Sequence, residues 1–187
     1  FPFLDNGESG GNTWIAEAPW VLSGEDSASP TNAWSDSPGM DYSNGIPSKS
    51  ITLSASLNLL GSRSPVLSYS HRCVFLSGDY AKAEVSGNNG GTWTELASYT
   101  VGAATGWLRG RHSLAAYTNS NQVLVRFRIT TDPSGAADGW HVDDISVCEA
   151  PTTVDAPTLN EVGSHSIRLN WTPNTNILFS HYAIFRS

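Results

Sequence analysis

Apolar and polar residues alternate along three stretches of this chain with the two-residue period of a half-buried β-strand. In residues 65–75, PVLSYSHRCVF, one face carries Leu67, Tyr69, His71, Cys73 and Phe75. In residues 80–86, YAKAEVS, Ala81, Ala83 and Val85 oppose Tyr80, Lys82 and Glu84. In residues 123–129, VLVRFRI, Val123, Val125, Phe127 and Ile129 face one way, and Arg126 and Arg128 the other. An antiparallel strand with one face on a core and one toward water needs this pattern. No stretch longer than about ten residues keeps a helical period.

Turn chemistry separates the strands. SGNNGGTW, residues 86–93, predicts a tight hairpin, because Asn and Gly accept positive φ. Residues 23–45 and 131–139 read as long polar loops, the kind that carries binding or ion sites on a β-scaffold. The Pro- and Thr-interrupted segment 149–157, EAPTTVDAP, predicts a linker after a first domain spanning 1–148. Residues 158–187 contain three short strand-like pieces, with Ile167, Leu169 and Trp171 alternating. Thirty residues cannot close a sandwich alone, so the chain is expected to stop inside its second domain.

The pattern breaks once, in ADGWHVDDISV, residues 137–147. Trp140 and Val142 keep one phase, Ile145 and Val147 the other, and the change falls at Asp143-Asp144. A β-bulge supplies that one-residue slip and re-aims side chains. Charged groups in a strand are costly unless paired, hydrogen-bonded or bound to an ion. Neighbouring carboxylates suit a glycosidase poorly, since its acid pair stands roughly 5–9 Å apart across a cleft. No nucleophile elbow, His-Glu-x-x-His helix or Cys-x-x-Cys pair occurs, and His71, His112, His141, His165 and His181 show no ligand spacing. Catalysis is therefore not expected. Two readings of Asp143 and Asp144 stay open: a Ca²⁺ corner, since Ca²⁺ takes six to eight oxygens in irregular loops, or capping of backbone N–H groups.

Composition narrows the class. The chain has 187 residues with 10 Lys+Arg against 17 Asp+Glu, a net charge of −7 that argues against nucleic-acid binding. No apolar run is long enough to span a membrane. No basic-then-apolar leader opens the chain, so it is expected to start as mature protein or as an excised piece. The Ser, Thr and Gly richness and 7 tryptophans suit a turn-rich β protein at the cell surface or beyond.

Residues 1–148 resemble the MAM-like jelly-roll modules attached to secreted bacterial peptidases of the immune inhibitor A and subtilisin-like types. The resemblance rests on Trp14, SITLS at 50–54, PVLSYSHRC at 65–73, YAKAEVSGNNGGTWTEL at 80–96, Trp107, VLVRFRITTD at 123–132 and DGWHVDDISV at 138–147. It implies an all-β, two-sheet antiparallel jelly-roll sandwich that is not catalytic. It also implies a structural Ca²⁺ near the acidic pair Asp143 and Asp144, with Asp5 and Glu8 as further ligands. SIRLNWTP and HYAIFRS resemble strands of a fibronectin type III domain, which implies a partial domain of that kind over 158–187 with Trp171 in its core.

Two functions follow as expectations. One is an extracellular accessory module that engages neighbouring domains of its own protein or an extracellular protein partner. The alternative is a carbohydrate-binding module. Aromatic faces stack on sugar rings, yet the resemblance places Trp93, Trp107 and Trp140 in core or hairpin packing. Trp20 and Trp34, in or near the long loop, are then the tryptophans expected to be exposed. Arg109, Arg111, Arg126 and Arg128 would form one outer face if their strands were neighbours, either solvated or docking an acidic partner. Cys73 and Cys148 are expected as buried free thiols, with a disulfide as the alternative.

Overall fold

The computed structural model of the protein describes residues 1–103, 106–150, 158–162 and 167–170. The chain divides into two compact units, Phe1–Cys148 and Glu149–Ser187. In the first unit the early strands are β1 (Phe3–Asp5), β2 (Trp14–Ala16), β3 (Val21–Ser23), β4 (Ala33–Ser35), β5 (Lys49–Leu53) and β6 (Pro65–Phe75). They are followed by β7 (Tyr80–Ser86), β8 (Thr94–Tyr99), β9 (Gly102–Ala103), β10 (Leu108–Ser113), β11 (Leu124–Thr130) and β12 (Gly139–Glu149).

These strands form the two sheets of a jelly-roll sandwich. One sheet runs β10-β6-β12-β4-β3, with β1 added beside β12 and β9 beside β6. The other runs β2-β5-β11-β7-β8. The three alternating stretches become β6, β7 and β11, and their apolar faces form the interior. Leu67, Tyr69, Phe75, Ala81, Ala83, Val85, Val125, Phe127 and Ile129 are all buried. Across the gap, Phe127 of β11 meets Tyr69 of β6 edge-on at 4.9 Å and Trp140 of β12 at 5.6 Å. The hairpin between β7 and β8 turns at Asn89 and Gly90, with φ of 55° and 87°.

Several polar groups inside the sandwich are matched to one another. The Tyr69 hydroxyl bonds with the Tyr99 hydroxyl at 2.6 Å and with His112 Nε2 at 3.0 Å. Trp140 Nε1 donates to His71 Nδ1 at 3.4 Å. Burial, then the nearby His112, pulls the His71 pKa down to about 4, so the ring is neutral inside the core. Cys73 and Cys148 are buried free thiols.

The phase change in β12 takes the form of a backbone kink. Asp144 has φ of 48°, Val142 and Ile145 both point into the core, and the two carboxylates between them turn outward. The segment 23–45 differs from the polar loop expected of it, because it contains β4, whose Ala33, Trp34 and Ser35 are all buried between β12 and β3. Three residues are too few to show a period, so the strand arises from its neighbours. Just beyond it, Asp36 Oδ1 accepts from the Trp140 amide at 2.6 Å.

In the second unit, β13 (Thr158–Val162) and β14 (Ile167–Asn170) pair antiparallel, with an irregularity between Leu159 and Glu161. Trp171 and the strand expected at 181–187 lie outside the described residues.

Two predictions follow from the packing. A Cβ on Gly110 would stand 2.3 Å from Tyr69 Cζ, inside the fully buried ring opposite it in the sheet. Gly110→Ala is expected to cost about 2 kcal/mol by overpacking, read by urea unfolding. Burial raises the Asp36 carboxyl to about 7, outweighing its Trp140 and Ser37 hydrogen bonds. A raised acid destabilises the fold progressively as pH rises from its unfolded value near 4 to about 7. Asp36→Asn removes that linkage, so its stability relative to the parent should climb across this window by up to about 4 kcal/mol. A pH-independent difference would refute the assignment.

Candidate functional site

Each sheet turns one face outward, and the two faces differ. On the seven-stranded sheet the segment before β4 lies across β12 and β6 and is hydrogen-bonded there. Asp143 Oδ2 accepts from the amides of Ala28 and Ser29 at 2.8 and 2.9 Å, and Oδ1 from the Asp144 amide at 2.6 Å. Asp144 accepts from Ser29 Oγ at 2.9 Å and Ser70 Oγ at 3.3 Å. Arg72 joins Asp26, at 2.9 Å, to Asp138 from the loop before β12. Burial raises the Asp143 pKa against the pull of its three amide donors. Asp143 and Asp144 thus fasten a loop.

The other two residues expected to complete a Ca²⁺ corner serve their own turns. Asp5 accepts from the Gly7 amide at 2.9 Å, from Thr13 Oγ1 at 3.3 Å and from the Trp14 indole at 2.5 Å. Glu8 accepts from the amides of Thr31 and Asn32 at 2.6 and 2.7 Å. These donors are the partners of local turn caps. Among the described residues no group of three or more His, Cys, Asp or Glu side chains forms that could hold a metal. The structure brings Asp143 and Asp144 together and places Asp5 and Glu8 at turns of their own.

The five-stranded sheet presents its outer face as two rows of side chains fixed by strand register. Ile15, Thr52, Arg126 and Glu84 stand in line across β2, β5, β11 and β7. Ser50, Arg128 and Lys82 form the next line across β5, β11 and β7. In the middle, Glu84 is 5% exposed although it is charged. It survives there because both arginines serve it. Arg128 gives Nε to Oε2 and Nη2 to Oε1, both at 2.8 Å, and Arg126 gives Nε to Oε2 at 2.7 Å. Burial alone would raise the Glu84 pKa, but the hydrogen bonds and charges of Arg128 and Arg126 outweigh it and hold the carboxyl below its ordinary value. Lys82 pairs with Glu95 at 2.7 Å.

Trp93, at the hairpin end of this face, is half-buried, and the Arg126 guanidinium lies 4.1 Å from its ring centroid. That distance is within cation–π range, and the contact restrains the guanidinium together with its bond to Glu84. Ile15 at the opposite margin is 60% exposed. The face thus joins an aromatic ring, an exposed aliphatic group and hydrogen-bonding forks.

Several expected site residues are placed differently. Trp20 and Trp34 are 4% and 5% exposed and belong to the core. Trp20 packs edge-on against Trp140 at 6.0 Å, and Trp34 against Trp14 at 6.5 Å. Among the described residues the partly exposed tryptophans are Trp93 and Trp107, two of those the resemblance assigned to packing. The four arginines do not share a face either. Arg109 and Arg111 are exposed on β10 of the other sheet, while Arg126 and Arg128 stand on β11. The pairing of Glu84 with both arginines was missed in the sequence. Its signal was present in the outward parity of all three residues, but only the adjacency of β7 and β11 gives it meaning.

If Glu84 holds the face together, Glu84→Gln leaves two half-buried guanidinium groups facing each other with one neutral partner. It should cost about 2 kcal/mol after allowing for partial solvent screening. The native contribution of Glu84 is present above the ordinary carboxyl pKa and is lost as pH falls through its lowered value, so the difference from the variant should vanish in acid. Thermal unfolding at several pH values checks this.

No family model matches the sequence, and no curated protein matches it. Among solved structures, the xylan-binding domain of carbohydrate-binding module family 22 is similar at a TM-score of 0.55 and 14% identity, covering 81% of this chain and 96% of that one. The K2 cleaved adhesin domain of Lys-gingipain is similar at 0.53 and 17%, covering 80% and 98%. A family 61 carbohydrate-binding module in complex with β-1,4-galactotriose is similar at 0.52 and 13%, covering 78% and 95%. At such identities these likenesses establish a shared jelly-roll fold.

Proposed function

We propose that the first unit is a non-catalytic carbohydrate-binding module, working outside the cell as an accessory to a larger protein. The observation that carries this reading is the outer face of the five-stranded sheet, where Trp93, Arg126, Glu84 and Arg128 form one rigid polar and aromatic platform. A sugar chain laid across the rows would meet the Trp93 ring and guanidinium donors held in plane for hydroxyl oxygens. Of the two functions open to the sequence, glycan binding is preferred over engagement of a protein partner. Two of the three similar structures named above are described as carbohydrate-binding, and this supports the preference.

The same residues argue against hydrolysis. A glycosidase acid needs a carboxyl raised toward neutral pH and open to the scissile bond. On this face Glu84 is lowered and fully hydrogen-bonded, and Glu95 is paired with Lys82. Asp36 is raised to about 7, but it is sealed in the interior.

Affinity electrophoresis against a panel of soluble polysaccharides tests the proposal. Saturable retardation by at least one of them is expected, with no release of reducing ends. Trp93→Ala should weaken it about tenfold or more, the scale of one lost aromatic contact, with melting curves confirming the fold. Binding unchanged in Trp93→Ala would move the site off this face.

A further inference from the structure

We propose that the glycan taken by this face is acidic, a polysaccharide bearing uronate groups, and that Arg126 receives the carboxylate. The inference rests on the carbohydrate-binding reading and specifies its ligand class.

It starts from how the charges of the face are spent. Across β11, β7 and β8 the face carries three cations, Arg126, Arg128 and Lys82, against two carboxylates, Glu84 and Glu95. Lys82 and Glu95 neutralise each other. Arg128 occupies both oxygens of Glu84 through Nε and Nη2. Arg126 reaches the same carboxylate only through Nε, so the surplus positive charge sits at its far end. A third carboxylate, Glu17, lies on the β5 side of the face, where it accepts from the amide and hydroxyl of Ser50, so the surplus is local to Arg126 and its partners on β7 and β8.

Among the described residues no protein acceptor takes the Nη1 and Nη2 groups of Arg126, and its side chain is 22% exposed. Its guanidinium is held at one edge by Glu84 and over one face by Trp93. A guanidinium fixed this way presents parallel N–H donors without further loss of side-chain freedom, the arrangement that a carboxylate fills with two charge-assisted hydrogen bonds. A neutral diol could accept the same donors but would leave the surplus charge uncompensated. The surplus also stands out on a chain whose net charge is −7. An anion is repelled by most of such a protein and drawn to this spot, which supplies orientation as well as affinity.

The test uses glucuronoxylan and polygalacturonate beside the same polymers after chemical reduction of their carboxyl groups, in affinity electrophoresis at low and moderate salt. Poly-L-glutamate serves as a sugar-free anion. The native acidic polymers should bind at least about tenfold more tightly than their reduced forms, and the advantage should shrink as salt is added. Arg126→Gln should abolish the advantage while keeping residual binding to the reduced polymers, and Arg126→Lys should restore part of it. Melting curves confirm that both variants fold. Equal binding of native and reduced polymers overturns the acidic preference and leaves glycan binding standing. Binding of poly-L-glutamate as tight as that of the uronates overturns the sugar part of the inference. Retardation by no polysaccharide overturns both this inference and the function it rests on.

Discussion

Phe127 sits between Tyr69 and Trp140, one ring from the second sheet wedged against two from the first. Much outside the sandwich depends on that contact. Aromatic groups of this size bury a large apolar area and hold a preferred edge-on geometry, so they set how the sheets face each other. Because β11 is a strand, fixing Phe127 inward also fixes Arg126 and Arg128 outward, one position to either side. The core contact and the candidate binding platform are consequently two faces of the same seven-residue strand.

The two outer faces then diverge through what lies on them. On the seven-stranded sheet the Asp143-Asp144 kink gathers carboxylates that hold the preceding loop down by its own amides. That face is occupied by the chain itself. On the five-stranded sheet the central charges are satisfied within the sheet, by a carboxylate shared between two arginines. Internal satisfaction completes the charges of this face and still leaves the far end of Arg126 and the Trp93 ring to offer. Acidic residues thus do opposite jobs on the two sides: they close one face and organise the other.

Legibility in the sequence followed the length of each pattern. Strands β6, β7 and β11 were readable because seven to eleven alternating residues separate a two-residue period from chance. The hairpin was readable because its positive φ at Asn89 and Gly90 demands particular residues. The phase slip at Asp143-Asp144 was readable too, since a strand cannot change face without an extra residue. Strand β4 was not, being three residues whose burial comes from partners far along the chain. The burial of Trp20 and Trp34 was illegible for a related reason. Trp20 and Trp34 stand in polar surroundings in sequence, and only the strands that fold over them make them core residues.

What the sequence by itself determined is the class of the protein and the direction of its side chains: an antiparallel all-β sandwich, with Arg126 and Arg128 facing away from its interior. These are local properties, set by backbone geometry and by the cost of leaving apolar groups in water. Only the tertiary structure decided which outward groups meet. It set β7 beside β11, so that Glu84 binds both arginines, and put Arg109 and Arg111 in the other sheet. It also turned Asp143 to amide donors, and Asp144 to a hydroxyl, more than a hundred residues away. Strand neighbours in such a fold are chosen by long-range packing, and the charges of a site are paired by that choice.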